Sequence, residues 1–132
     1  MASQSELLFD TTALIDIYRG KAGIKSYFDM IPDGTLLPYI SVLTEAELWR
    51  GLHAEEVEKH LLLIGQFISL PLDSDAARLA GAWMQKYSTS GLGWMDALIS
   101  ATSKIAGVSV LTRDKNLIKV LSVETGFEVY SL

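Results

Sequence analysis

The chain has 132 residues, about half of them hydrophobic, and a formal net charge of −5. This length and composition suit one domain with a substantial core and exclude a disordered chain. The absence of cysteine excludes disulfides, thiolate zinc sites and cysteine nucleophiles. A negative net charge disfavours binding to a polyanion, because Lys and Arg normally supply that affinity. A bound divalent cation can nevertheless reverse the local charge of a site.

The beginning of the chain, "MASQSELLFD", has no basic segment followed by a long apolar one, so no signal peptide is predicted. The longest apolar stretch, "LLLIGQFISLPL", is interrupted by polar residues, glycine and proline and is too short to cross a bilayer. We therefore predict a soluble, cytoplasmic protein with a single domain over residues 1–132.

The predicted elements alternate between strands and helices along the chain. Strands are predicted at 6–9, 36–41, 108–112 and 127–132, with a short extended piece at 68–72. Helices are predicted at 13–20, 23–30, 42–52, 55–67, 74–87 (with Ser74 as its cap), 95–106 and 115–121. This alternation predicts an α/β fold with a parallel sheet and helices on both faces. In such sheets, functional sites form at the carboxyl ends of the strands.

Three acidic residues are placed at one edge of this predicted sheet. Asp10 directly follows the first strand, Asp114 lies two residues after the strand 108–112, and Asp96 is in the first turn of the helix that precedes that strand. Taken singly, each is more simply explained as a helix cap or as a favourable charge at a helix N-terminus.

Asp96 is the hardest of these carboxylates to explain by capping alone. Its helix is apolar around most of its circumference, which predicts that it is buried. One narrow polar stripe interrupts the apolar surface, formed by Asp96, Ser100 and Ser103. A buried carboxylate is costly unless it is paired or binds a metal, and no basic residue lies one turn away on that stripe.

Glu47 is a fourth candidate, at the border of the apolar face of helix 42–52, where Gly51 leaves space one turn later. Periodicity alone does not distinguish this from a solvated helix that carries Glu45, Glu47 and Arg50. The two histidines, His53 and His60, are expected to face solvent, which disfavours zinc. Carboxylates without thiols suit Mg²⁺ or Mn²⁺, and such a centre supports in-line displacement at phosphorus.

Three segments of the sequence resemble the successive motifs of PIN-domain proteins, and most of all those of VapC-like toxins from toxin–antitoxin pairs. They are "LLFDTTALIDIYRG", "ISVLTEAELWRG" and "GWMDALISATSKIAGVSVLTRDKNL". The four acids follow one another at separations of 37, 49 and 18 residues, each in the structural context that the family has. The resemblance covers essentially the whole chain.

The resemblance implies a three-layer α/β/α domain and a Mg²⁺- or Mn²⁺-dependent ribonuclease acting on structured RNA such as tRNA or ribosomal RNA. It also implies a homodimer that a small cognate antitoxin holds inactive. The implied catalytic and metal-binding residues are Asp10, Glu47, Asp96 and Asp114. Supporting roles fall to Thr11, Thr112 and Ser100, and phosphate contacts to Arg113, Arg50 and Lys115.

Several positions depart from the family pattern or leave roles open. Asn116 and Leu117 stand where many relatives have an acid followed by Phe. Glu45 is an additional acid beside Glu47, and Asp16 occupies a position that is often acidic but is usually not a ligand. The number of metal ions and any contribution of Glu45 or Asp16 therefore remain open.

Two other functions remain possible at this level. Asp10 could be the nucleophile of a HAD-like phosphatase that forms an aspartyl-phosphate, although Thr12 stands where that family has its second Asp and no lysine motif is apparent. The domain could also be a catalytically inactive PIN-like binding module, which the presence of all four acids disfavours.

Overall fold

The computed structural model describes residues 4–132, and its centre is a five-stranded parallel sheet in the order β3-β2-β1-β4-β5. The strands are β1 (Ser5–Phe9), β2 (Leu36–Ser41), β3 (Ile68–Leu70), β4 (Ser109–Thr112) and β5 (Phe127–Val129). Residues 7 to 9 of β1 are all buried. A continuous apolar run is typical of a central parallel strand that is covered on both faces.

Seven α-helices flank this sheet and give the three-layer α/β/α architecture that the sequence predicts. They are α1 (Thr11–Tyr18), α2 (Ala22–Phe28), α3 (Val42–Arg50), α4 (Val57–Ile64), α5 (Ser74–Tyr87), α6 (Trp94–Ala106) and α7 (Lys115–Leu121). One core cluster joins Leu7 and Phe9 of β1 to α1, α2 and α4. On the opposite face, Leu8 packs with Ile99 of α6, and α6 in turn packs against α5. None of the helices in residues 4–132 combines the length and apolarity needed to cross a membrane.

The element boundaries differ from the predicted ones where capping decides them. Helix α1 begins at Thr11, directly after Asp10, whose carboxylate accepts the hydrogen bond of the Ala13 amide. The cap of α5 is Asp73 and not Ser74, because the Asp73 carboxylate accepts from the Ala76 amide. Strand β5 ends at Val129, three residues earlier than predicted.

Helix α6 is buried through its middle, as its apolar composition predicts. Ser100 and Ser103 of its polar stripe are fully buried, and the Ser103 hydroxyl donates to the main-chain oxygen of Ser100. The ends of the helix differ from this expectation, since Asp96 is only partly buried and Ile105 is 47% exposed. The Asp96 carboxylate therefore lies at the surface end of a buried helix, where a ligand can reach it.

Candidate active site

Strand pairing brings Asp10 and Asp114 to the same edge of the sheet. Phe9 of β1 lies opposite Leu111 of β4, and the Asp10 amide donates to the Leu111 carbonyl oxygen at 3.2 Å. The two carboxylates therefore follow neighbouring strand ends, as the sequence predicts. Each also caps the helix that comes after it. Asp10 Oδ1 accepts from the Ala13 amide at 2.8 Å, and Asp114 Oδ1 accepts from the Leu117 amide at 3.0 Å.

Capping and a functional role are compatible for these two residues. A cap occupies one carboxylate oxygen and fixes the orientation of the group, because the helix N-terminus holds it in place. Both aspartates are consequently oriented before any ligand arrives.

Thr112 connects the two aspartates through its hydroxyl group. The residue is fully buried, and Thr112 Oγ1 accepts a hydrogen bond from the Asp114 amide at 3.1 Å. A hydrogen-bonding contribution from Thr112 also lowers the pKa of Asp10, against the effect of burial. One side chain at the end of β4 therefore acts on both the Asp10 carboxylate and the Asp114 backbone.

Asp96 enters from the N-terminal end of α6 and lines a narrow polar cleft together with Asp114 and Asn116. Burial raises the pKa of Asp96, and the charges of Asp114 and Glu47 raise it further. Asp96 also acts on Asp10, so it is electrostatically coupled to each of the other three acids. The four acids Asp10, Glu47, Asp96 and Asp114 are called the quartet below, and Asp96 is the member coupled to all the others.

Asp10 is the acid whose ionisation the fold disfavours most clearly. Burial raises its pKa from 3.8 to about 6, although hydrogen bonds from Thr112 and from the Ala13 amide act in the opposite direction. The charges of Asp96 and Asp114 add to the increase. A site that repels its own ionised carboxylates in this way favours a bound cation.

The oxygen donors suit a hard divalent cation that retains part of its water. Within residues 4–132, no three His, Asp or Glu side chains converge closely enough to form a ready ligand cage. Mg²⁺ keeps several waters and is usually bound through only one or two carboxylates, so an open arrangement of aspartates fits it. Ser100, one turn beyond Asp96, has a buried hydroxyl for which residues 4–132 supply no hydrogen-bond partner.

Glu47 reaches this edge from α3 and is held by a pair of threonine hydroxyls. Thr11 Oγ1 donates to Glu47 Oε1 at 2.6 Å and lies 3.0 Å from Thr44 Oγ1. Because the single Thr11 proton points to Glu47, Thr44 must be the donor to Thr11. Thr11 therefore orients the Glu47 carboxylate. Thr44 was not predicted, although its position three residues before Glu47, on the same helical face, was a usable signal.

Replacing Thr44 with Val should reduce the RNA cleavage that the resemblance implies by roughly tenfold, since losing one hydrogen bond in a buried network costs on the order of 1–2 kcal/mol. Thr11 would lose its donor, and Glu47 would be held less firmly. The rate of RNA cleavage measures the effect. Thr102→Val is the matched control, because the buried Thr102 hydroxyl donates only to the Leu98 carbonyl of its own helix. Equal activity in the two variants would contradict the role of Thr44.

The additional acids lie outside the quartet. Glu45 accepts a hydrogen bond from the Ser69 hydroxyl of β3, and Asp16 is bound to Arg113 and Tyr130. Neither residue donates an oxygen to the cleft beside Asp96. The expectation that His60 faces solvent is wrong. Its ring is buried and hydrogen-bonded to the Tyr18 hydroxyl, because α4 turns this side of the helix toward α1. His53 is exposed, as expected.

The three basic residues proposed as phosphate contacts occupy different environments. Arg113 directs Nε to Asp16 Oδ2 at 2.7 Å, and its side chain is 35% exposed. Arg50, at the end of α3, and Lys115, at the start of α7, are exposed. Neither takes part in an ion pair with any of residues 4–132. These two cations are therefore the ones available to a polyanion.

We call the end of the sheet that carries Asp10, Asp96 and Asp114 the acidic edge. Comparison with known proteins identifies the class of protein to which this fold and this edge belong. Residues 7–121 match the model of the PIN domain. The chain belongs to the PIN domain family, whose toxins are generally nucleases. No curated protein matches the sequence significantly.

Solved structures of toxin–antitoxin complexes contain similar chains. A chain of the toxin–antitoxin complex from Klebsiella pneumoniae is 26% identical, with a TM-score of 0.73 over 92% of this chain and 95% of that one. FitAcB from Neisseria gonorrhoeae gives 22% identity and a TM-score of 0.73, covering 92% and 95% of the two chains. VapBC2 from Rickettsia felis, bound to a DNA fragment from its promoter, gives 15% identity and a TM-score of 0.74, covering 96% and 99%. The predicted resemblance to VapC-like toxins is confirmed.

Proposed function

We propose that the protein is a Mg²⁺- or Mn²⁺-dependent endoribonuclease and the toxin of a toxin–antitoxin pair. The observation that carries this proposal is that Asp96 and Asp114 line one cleft and that Asp10 follows the strand beside the one that precedes Asp114. Burial and neighbouring carboxylates raise the pKa of Asp10 and Asp96, an arrangement that favours a bound cation. Family membership favours this function over the phosphatase alternative, and the presence of all four acids disfavours an inactive binding module.

In this mechanism, Asp10, Asp96 and Asp114 would hold the divalent ion, directly or through the water that it retains, while capping keeps the carboxylates of Asp10 and Asp114 oriented. The ion, when bound, supplies an activated water and stabilises the leaving oxygen of an in-line displacement. Glu47, oriented by Thr11, positions the attacking water or a second ion. Thr112 acts on both Asp10 and Asp114, and Ser100, one turn after Asp96, offers a hydroxyl that has no partner among residues 4–132 to water retained by the ion.

Arg50, about one turn after Glu47, and Lys115, next to Asp114, bind RNA phosphates. The sequence resemblance favours structured RNA, either tRNA or ribosomal RNA, as the substrate. The toxin–antitoxin complexes among the similar structures support a small protein antitoxin as a partner, and the family resemblance supports a homodimer. We place this activity in the cytoplasm, where such RNA is found.

The direct test is to incubate the purified protein with total tRNA and ribosomal RNA in Mg²⁺, in Mn²⁺ and in EDTA. Cleavage should occur with either metal and cease in EDTA, and sequencing of the new 5′ ends should show discrete internal sites. Cleavage that persists in EDTA would rule out the metal-dependent mechanism. Release of inorganic phosphate from small phosphomonoesters, with no RNA cleavage, would favour the phosphatase.

Removing the charge of Lys115 should weaken RNA binding by a few-fold and lower the slope of log K against log salt by about 1, because one phosphate contact is lost. The affinity of each variant, Lys115→Gln and Arg50→Gln, for RNA is measured across a salt series under conditions in which the RNA is not cleaved. Lys104→Gln is the control, since Lys104 lies near the opposite end of α6 from Asp96. If Lys104→Gln lowered the slope as much as Lys115→Gln, the binding would be general and not centred on the cleft.

A further inference from the structure

An ion pair between the buried Asp16 and the partly exposed Arg113 lies behind the acidic edge and takes no direct part in the mechanism above. Asp16 of α1 has no exposed surface, and its Oδ2 accepts hydrogen bonds from Arg113 Nε at 2.7 Å and from the Tyr130 hydroxyl at 2.6 Å. Arg113 Nη2 lies 3.4 Å from Asp16 Oδ1. Burial raises the pKa of Asp16, but the hydrogen bonds and the charges of Arg113 and Arg19 outweigh burial and lower it overall. Asp16 is therefore a buried, ionised carboxylate that these partners satisfy.

The location of Arg113 gives this ion pair its significance. Arg113 lies in the connection between β4 and α7, between Thr112, which contacts Asp10, and Asp114. Its guanidinium group ties that connection to α1, and Tyr130 adds a second attachment. The Tyr130 amide donates to the Thr112 carbonyl oxygen at 3.1 Å, while its phenol reaches Asp16.

Tyr130 is itself held firmly. Its ring is 4% exposed and belongs to the core cluster that covers β1. The next residue packs so closely on α2 that a Cβ atom at Gly23 would lie 1.4 Å from the Ser131 carbonyl oxygen. The segment after β5 is therefore fixed against α2, and it provides a rigid support for the connection that carries Asp114.

Stability alone does not explain such an arrangement. Such a pair often contributes no more to stability than well-packed apolar side chains would, because the buried carboxylate loses its hydration. The ion pair does provide one specific geometry, because the planar guanidinium group donates hydrogen bonds to a carboxylate in only a few orientations. That geometry is imposed on the residue directly before Asp114.

We propose that Asp16, Arg113 and Tyr130 form a clamp that sets the position of the Asp114 carboxylate relative to Asp10 and Asp96. Asp16 and Tyr130 are positioning residues in this role and do not touch the metal or RNA. The Arg113 side chain is directed to Asp16 first, so its contribution to phosphate binding is secondary to this one. The proposal rests on the proposed function, because it takes Asp114 to be a metal-binding residue.

The test combines Tyr130→Phe and Asp16→Asn with calorimetric titration of Mn²⁺. Tyr130→Phe removes one hydroxyl from an intact core and is the variant expected to fold normally, which thermal unfolding verifies. Residues that hydrogen-bond directly to metal ligands typically change metal affinity 10- to 100-fold. Asp16 acts on Asp114 only through Arg113, so we expect Asp16→Asn to weaken Mn²⁺ binding by roughly tenfold, at the lower end of that range. Tyr130→Phe should weaken it in the same direction but less. Tyr87→Phe is the matched control, because the Tyr87 phenol also donates to a carboxylate, that of Glu124, away from the acidic edge.

A second measurement on the metal-free protein separates this proposal from the nuclease assignment. Hydrogen exchange of the Leu117 amide, which donates to Asp114 Oδ1, should accelerate several-fold in Tyr130→Phe. The Ala76 amide, which makes the equivalent bond to Asp73 at 2.8 Å, should be unchanged. If the unmodified protein does not bind Mn²⁺, the proposed function fails. The hydrogen-exchange rate of the Leu117 amide still tests the clamp in that case. The clamp is overturned if both variants bind Mn²⁺ as the unmodified protein does, or if Leu117 exchange is unchanged.

Discussion

Asp96→Asn is expected to abolish Mn²⁺ binding detectable by calorimetry and to lower RNA cleavage by roughly three orders of magnitude. The substitution preserves the size of the side chain but removes the charge that is coupled to Asp10, Glu47 and Asp114. In the proposed site the four carboxylates bind the cation together, so losing the charge of Asp96 should affect binding and cleavage together. The metal titration and the cleavage rate are measured on the same preparation.

The control for this prediction is Asp75→Asn. Asp75 also lies in the first turn of a helix, that of α5, but its carboxylate is exposed and paired with Arg78 at 3.2 Å. If helix capping or dipole effects explained the role of Asp96, both variants would lose a similar amount of stability and neither would lose activity. Cleavage by Asp96→Asn at the rate of the unmodified protein would refute the assignment of the site.

Asp10→Asn is expected to stabilise the metal-free protein at neutral pH by about 3 kcal/mol. Folding raises the pKa of Asp10 from 3.8 to about 6, and each pKa unit corresponds to about 1.4 kcal/mol. Between these two values the folded state binds more protons than the unfolded state. The free energy of unfolding attributable to Asp10 therefore falls as pH rises from about 4 to above 6. Asparagine carries no charge, so it avoids the cost of burying an ionised group, and its Oδ1 can still accept the hydrogen bond of the Ala13 amide.

Urea unfolding in EDTA at pH 4.5 and pH 7 provides the measurement. The difference between Asp10→Asn and the unmodified protein should be larger at pH 7, and Mn²⁺ should stabilise only the unmodified protein, because a ligand raises the stability of the state that binds it. Asp33→Asn serves as the control. Hydrogen bonds from Thr35 lower the pKa of Asp33, so its removal should not stabilise the protein at either pH. A gain in Asp33→Asn equal to that in Asp10→Asn would indicate a general charge effect.

Under the proposed function, the acidic edge meets opposing demands of stability and cation binding. Burial raises the pKa of Asp10 and Asp96, which makes the metal-free fold less stable at neutral pH. The same burial strengthens the attraction of these groups for a cation, since charges interact more strongly where water is excluded. The hydrogen bonds from Thr112 and the helix N-termini limit the cost without removing it.

The sequence alone was sufficient to predict the parallel α/β architecture and the position of three acids at one edge of the sheet. Both follow from local rules, because apolar runs of strand length alternate with amphipathic helices and residues after parallel strands share one edge. Asp10 and Asp114 needed no further information. The apolar surface of α6 also predicted that Ser100 would be buried, and the structure agrees.

Other features depend on residues that are far apart in the chain, and only the tertiary structure decided them. The helical wheel could not separate Glu47 from Glu45. Thr11, 36 residues away from Glu47, donates a hydrogen bond to it, while Ser69 binds Glu45. Likewise, no local pattern predicts that Arg113 pairs with Asp16, 97 residues away. Periodicity reports which face of a helix is apolar, but the partner of a polar side chain is chosen by the packing of elements that the chain brings together from a distance.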